Sequence, residues 1–499
     1  MMVPMPRDLV RWGVLAVLAG CVPWLAQPSA AAAAQPLETA VVDPFAFVGP
    51  DGDRLMARVR ASGASTVRIQ VRWALVAPRG STRPPGFDPA NPTDPAYLWA
   101  DVDAQVVSAV RHHLKPMVDF YIAPNWAQRS TDGPFGTRTP DPAEVGSFAR
   151  AIARRYSGKV LGLPRVRLWQ LWNEPNIYRF LTPQFDSPLA APVPSGARAL
   201  SPGLYRDMLN AFATGVRGVS KRNVVITGGM TPFGRAFPGS PAVAPLRFMR
   251  ELLCLTPRNR PDPNCRQRAS FDVWAHHPYT DGGPNHSAED PQNVSLGDLR
   301  KMKRVLAAAI RTGRIRSQQK VRFWVTEFSW DTRPPDPGGV PVKTHARWVA
   351  EALYRMWSNG VSLVTWYSIR DEARDGRPDP EVYQSSLYYR CASGVACDRP
   401  KPALTAFRFP FVALPSGRRT VAWGRTPFGR RARVRLETRR GGRWRPVATL
   451  RTDAHGIFLR RLTQPRKGMM RAVVVGRGGA RSGSFRIGRT RDMEVRPFG

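Results

Sequence analysis

Short apolar, β-branched runs alternate along most of the chain with longer stretches whose apolar residues recur at helical spacing. Eight strand-like runs can be placed, at residues 39–47, 66–73, 116–122, 166–172, 224–227, 271–276, 321–326 and 362–367. Between them, Leu55, Met56 and Val59 mark one amphipathic face and Val145, Phe148 and Ile152 another. The second is opened by Asp141 as N-cap and Pro142 in the first turn. Strand and helix alternating eight times predict a closed parallel α/β barrel, the (β/α)8 or TIM barrel, over residues 35–405. Proline-rich loops at 77–95, 181–202 and 231–245 follow the second, fourth and fifth strands and predict a cleft bordered by insertions.

Beyond Pro402 the period changes from helical to two. Runs at 431–436, 447–450, 456–459 and 472–475, with glycine pairs at 441/442 and 478/479 for tight turns, predict a small C-terminal antiparallel β-sandwich over 411–490. It is similar to the immunoglobulin-like modules appended to bacterial exported enzymes. The alternation places Ala432, Val434 and Leu436 inward and Arg431, Arg433 and Arg435 outward.

The amino terminus changes the setting. Arg7 and Arg11 precede an apolar run over residues 13–25 and then an alanine stretch, so residues 1–34 read as a secretory signal peptide, too short to span a membrane. Cys21 lies in a lipobox-like context that would make a cell-surface lipoprotein. The apolar run continues past Cys21, which favours a freely secreted protein. Cys254, Cys265, Cys391 and Cys397 remain, an even number in an exported chain. Three disulfide connectivities are open, and the short gaps make the local pairs 254–265 and 391–397 the economical choice. No Cys/His spacing for a metal is seen.

A formal charge of +38 first points to a polyanion partner. Only nine of the 75 basic residues are lysine, which fits a GC-rich codon bias as well as it fits selection for binding. Position says more than the total: residues 411–499 hold 23 Arg/Lys against four Asp/Glu. An acidic cell-wall polymer is therefore an expected partner of the C-terminal region, and nucleic acid is not.

The chemistry concentrates at two strand ends. In Trp169-Gln170-Leu171-Trp172-Asn173-Glu174-Pro175-Asn176 a carboxyl follows an amide, and Pro175 forbids extension of the strand. Phe323-Trp324-Val325-Thr326 runs likewise into Glu327. These two endings resemble the catalytic signatures of retaining glycoside hydrolases of the large (β/α)8-barrel clan, families 39 and 5 nearest, over roughly residues 40–405. The resemblance implies hydrolysis of a polysaccharide or oligosaccharide by double displacement, without metal or organic cofactor, with Glu174 as general acid/base and Glu327 as nucleophile. At a separation of about 5 Å and an effective dielectric near 20, mutual repulsion of roughly 3 kcal/mol is expected to hold the two carboxyls about two pKa units apart.

By the same resemblance, Arg68 at the end of the second strand holds the nucleophile ionised. Asn173 binds the sugar 2-hydroxyl, His277 and Tyr279 border the nucleophile, and Trp366 is the platform under the cleaved sugar. Adjacent His276 and His277 point to opposite faces, which disfavours a shared metal. Trp126, with Trp73, Tyr178 and Trp330, is a further candidate for stacking on sugar. After the third strand, Ala123-Pro124-Asn125-Trp126-Ala127 stands where family 5 enzymes commonly carry a histidine, and it looks more like family 39. Two other classes are weighed. A catalytically idle wall-binding protein would not need both glutamates and Arg68, and a serine hydrolase would need a Gly-x-Ser-x-Gly elbow that is absent.

Overall fold

The structure, a computed structural model, describes residues 35–495 except 161, 189–192, 195, 235–238, 378–381, 428 and 477–478. The proposed leader at 1–34 with Cys21, and Gly478 of the second glycine pair, lie outside the described residues.

All eight expected strands form, and each is shorter than or close to its apolar run. They are β1 Glu38–Val42, β2 Thr66–Arg72, β3 Lys115–Tyr121, β4 Leu168–Leu171, β5 Val224–Ile226, β6 Val273–His276, β7 Arg322–Val325 and β8 Val361–Tyr367. Every neighbouring pair is parallel, and β8 closes on β1. The first run ends early because the Asp43 carboxylate accepts the Phe45 and Ala46 N–H groups and turns the chain.

Among the described residues eight helices of seven residues or more follow the strands in turn: α1 Gly52–Ala61, α2 Ala100–Arg111, α3 Pro142–Arg155, α4 Ser201–Val219, α5 Pro245–Leu252, α6 Leu299–Arg311, α7 Val342–Ser358 and α8 Pro402–Arg408. The start of α3 follows the sequence: Asp141 accepts the Ala143 N–H at 2.8 Å, and Val145, Phe148 and Ile152 are buried. Among the described residues no helix is long and apolar enough to cross a membrane.

Side-chain alternation divides the barrel interior into two storeys. Ala40, Met117, Val224, Ile226, Val273, Ala275, Trp324 and Leu363 form a separate apolar floor. Toward the carboxyl ends the inward positions turn polar, with Arg68, Asp119, Gln170 and Thr326 all fully buried. Gln70, Asp119, Gln170 and Ile226 stand in one register row around the wall. Burying polar groups of this kind is costly unless they find partners.

From Gln35 onward the chain packs as one unit. Seven antiparallel strands follow the barrel: β9 Phe411–Ser416, β10 Arg419–Arg425, β11 Arg433–Arg440, β12 Arg443–Arg451, β13 Ile457–Leu462, β14 Met469–Val474 and β15 Phe485–Arg486. They make a three-stranded sheet, β9-β10-β13, and a four-stranded sheet, β12-β11-β14-β15. Val434 and Leu436 are buried as expected, while Ala432 is only half-buried.

Trp423 of β10 is wholly buried against Tyr354 and Trp357 of α7, at centroid distances of 5.4 and 5.6 Å. Arg425 reaches β1, donating to the Leu37 carbonyl and to Thr39 Oγ1. The segment after β15 returns to the loop that follows β6. There Asp492 accepts the Gly283 N–H at 2.6 Å and faces His286 Nδ1 at 3.0 Å, and Val495 N–H donates to the Asp281 carbonyl. Disulfides join Cys254 to Cys265 and Cys391 to Cys397, the local pairs.

Candidate active site

Past Leu171 the chain leaves the sheet through two residues of positive φ, Trp172 at 69° and Glu174 at 37°. Neither is glycine, so this turn holds conformations that side chains disfavour, a cost met at sites where geometry matters more than local stability. It is fastened by Trp172 N–H to the Phe120 carbonyl and Glu174 N–H to the Gly229 carbonyl, both at 3.0 Å. Gly229 has no substitute here. A Cβ on it would lie 2.0 Å from His277 Nε2 and 2.7 Å from Thr326 Oγ1.

Glu327, next after Thr326 just past the end of β7, stands among donors. Arg68 Nη1 donates to Oε2 at 3.0 Å and Tyr279 OH to Oε1 at 3.0 Å. Arg68 lies early in β2 rather than at its end, and its long side chain covers the difference. It is wholly buried, donates through Nε at 2.9 Å and also through Nη2 to Asp119 Oδ2, through Nη1 to the Thr326 carbonyl, and through Nη2 to Asn173 Oδ1 at 2.9 Å. Burial opposes the guanidinium charge, but Asp119 and Glu327 outweigh it and hold Arg68 protonated. Burial pushes the Asp119 carboxyl up to about 6, with Arg68 pulling against it, so the pair is ionised at neutral pH.

Glu174 stands in a different setting. Among the described residues its side chain meets one hydrogen-bond partner, His277 Nδ1, 2.9 Å from Oε1. Burial pushes its carboxyl up to about 7, and the more distant charges of Arg68 and Arg179 reduce the shift. Desolvation, rather than the expected repulsion from Glu327, is thus the cause of the Glu174 shift. His277 is also buried, and its own value is pushed down to about 3, so the ring is neutral. Of the expected pair, Tyr279 bonds Glu327 directly, whereas the Nδ1 of His277 faces Glu174 and the ring meets Glu327 only through that residue's charge.

The two glutamates face a cleft of about 880 Å³ at the carboxyl ends of the strands. Asn173, Arg72, Arg179, Tyr279, Tyr367 and Tyr383 line it, with Phe45, Phe135 and Phe180 at its apolar parts. Phe45 and Phe135 are 56% and 50% exposed, as aromatic rims for a ligand would be.

Two expected contacts fall elsewhere. Trp366 is wholly buried and packs on His345 of α7 and Phe407 of α8, behind the sheet. The strand period explains it: Leu363, Thr365 and Tyr367 point inward, so the aromatic of β8 at the cleft is Tyr367, one position on. Trp126 donates to the Pro78 carbonyl and packs edge-on against Trp73 and Phe87, outside the cleft lining. Trp73 and Trp330 are core residues, and Tyr178 does not reach the cleft.

Sequence reasoning missed Asp119, Gln170 and Thr326. Each is a lone polar residue at an inward position of an apolar strand, which is the one signal that marks it.

No protein-family model and no curated protein matches the sequence. Solved structures with similar folds include a family 39 glycoside hydrolase from the gut symbiont Bacteroides cellulosilyticus WH2, at 17% identity and a TM-score of 0.49 over 89% of this chain and 81% of that one. A family 39 enzyme from Xanthomonas axonopodis pv. citri matches at 15% identity and a TM-score of 0.48, over 85% and 91% of the two chains. A family 30 endoxylanase from Clostridium papyrosolvens C71 matches at 12% identity and 0.44, over 86% and 93%.

Proposed function

We propose that the protein is a glycoside hydrolase that cleaves an oligosaccharide or polysaccharide by double displacement. The observation that carries the reading is the unequal provision of two carboxyls on one cleft: Glu327 is bonded by a guanidinium and a phenol, and Glu174 is desolvated with its pKa up at about 7. In the first step a Glu327 oxygen attacks the anomeric carbon while Glu174 gives its proton to the departing glycosidic oxygen. In the second, Glu174 takes a proton from water, whose oxygen displaces Glu327 and restores both groups. Arg68 and Tyr279 hold the attacking carboxylate in place by donating to its two oxygens. Arg68 occupies Asn173 Oδ1, which leaves the amide nitrogen for a sugar hydroxyl.

A 2-fluoro glycoside of an accepted sugar should label Glu327, because the fluorine slows breakdown of the glycosyl-enzyme. Label on Glu174, or product of inverted configuration by NMR, would overturn the assignment.

The same reading takes the protein to be exported through residues 1–34 and held at acidic wall polymer by its C-terminal sheets. In the four-stranded sheet Arg433 faces Arg451 and Arg440 faces Arg443 across the β11–β12 ladder. The one carboxylate in those strands, Glu437, is taken by Arg435 and Arg471 at 2.8 and 2.7 Å. Like charges set opposite each other destabilise a sheet, and a bound polyanion relieves them. The full chain should sediment with a polyuronate at low salt and be released at high salt. Equal retention by a neutral glucan would sink this part.

A further inference from the structure

The hydrogen bonds that reach Glu174 do not stop at His277. Gln170 on β4 is wholly buried, and its Nε2 donates to the Thr227 carbonyl at 2.9 Å and to Thr326 Oγ1 at 3.2 Å. A carbonyl only accepts, so the amide nitrogen must face Thr227 and the orientation of Gln170 is fixed. Thr326 Oγ1 thus accepts from Gln170 and still has its own proton to place. Among the described residues, the remaining polar atom bonded to that hydroxyl is His277 Nε2, at 3.1 Å. The other ring nitrogen, Nδ1, faces Glu174 Oε1 at 2.9 Å.

We infer that Gln170 and Thr326 are positioning residues that fix His277 as its Nδ1–H tautomer, so that Glu174 Oε1 is always an acceptor and the proton given to substrate is carried on Oε2. The chain of donors runs one way, from the Gln170 amide to Thr326 Oγ1, from the Thr326 hydroxyl to His277 Nε2, and from His277 Nδ1 to Glu174. The opposite tautomer would aim two N–H groups at Thr326 and leave a buried hydroxyl proton without an acceptor.

This rests on reading Glu174 as the acid/base, and it adds a directional element to that role. Without it, a carboxyl with two similar oxygens offers its proton from either one. With His277 donating to Oε1, the carboxylate is stabilised after each proton transfer. His277, neutral and buried, does not compete for the proton. The other groups facing Glu174 are Arg68 from β2, Arg179 from the loop after β4, and Tyr279 and Tyr383. Glu327 from β7 acts on His277. Their charges are the same in both tautomers, so a change of tautomer registers as a separate shift.

The direct test is ¹⁵N NMR of the histidine-labelled full chain without substrate, with the His277 resonances assigned from their loss in His277→Gln. A protonated Nδ1 and a bare Nε2 are expected. A protonated Nε2 would overturn the inference whatever the enzyme turns over. If instead Nδ1–H is seen and no glycoside is hydrolysed, the functional reading fails while the tautomer assignment stands.

In Thr326→Val the ring is released to accept a hydrogen bond from protonated Glu174. The basic limb of the kcat/KM pH profile should then move up by about one unit, a tenfold change in proton affinity. Thr326→Ser should return it. An unmoved or lowered limb in a folded Thr326→Val protein would overturn the inference.

Discussion

The two walls of the cleft are built on opposite principles. At the end of β7 the chain spends two long side chains, Arg68 and Tyr279, on one carboxylate, and the guanidinium is itself anchored by Asp119. At the end of β4 it withdraws water from a carboxyl and leaves it a neutral imidazole. One wall surrounds its carboxyl with donors; the other makes a charge costly to hold. A single reaction that needs a nucleophile and a proton donor in the same small volume requires that difference, since identical surroundings would give both groups the same protonation state.

Removing each group should expose the difference. Glu327→Ala is expected to lower turnover by roughly a millionfold for every leaving group, the scale reached when an attacking residue is lost. Glu174→Ala should cost about 10²–10⁴-fold for sugars with poor leaving groups and little in the first step for activated aryl glycosides, with azide restoring turnover. Steady-state rates on a leaving-group series separate the two. Parallel losses in both variants would erase the distinction between the walls.

The smallest effect is on stability. The native Glu174 carboxyl holds its proton up to about 7 against 4.5 for an ordinary glutamate. A raised carboxyl pKa means that the native state binds more protons in that window, so stability falls as pH rises from about 4.5 to 7. Above it, the folded protein carries a charge that costs of the order of 3 kcal/mol. Glu174→Gln should therefore resist urea better than the parent at pH 8, and the gap should close toward pH 4.5. A gap independent of pH would mean that the substitution acts through packing.

The barrel was legible because it is written in two short-range periods, and the eight runs needed no distant information. Glu174 and Glu327 were legible because strand endings are local events. What stayed hidden depends on residues far apart in sequence. Asp119 meets Arg68 across 51 positions, and Thr326 meets Gln170 across 156. Nothing near either residue announces the partner. Trp366 shows a different limit: strand position was read correctly, but facing depends on a count of one, and the inward residue is Tyr367. Phe135 and Phe180 come from segments without strand or helix period, and Phe45 lies in the part of the first apolar run that leaves the strand at Asp43, so no pattern brings them to the cleft.

The return of the chain to the loop behind Tyr279 has a consequence in time. Asp492 is made 209 residues after Gly283, the backbone group that it caps. At ordinary rates of translation that loop waits about 10–40 s for its last hydrogen bonds. During the wait the phenol that steadies Glu327 sits on an unfinished support, so the cleft is completed late in the birth of the molecule, and a chain cut short before Asp492 would lack that clasp.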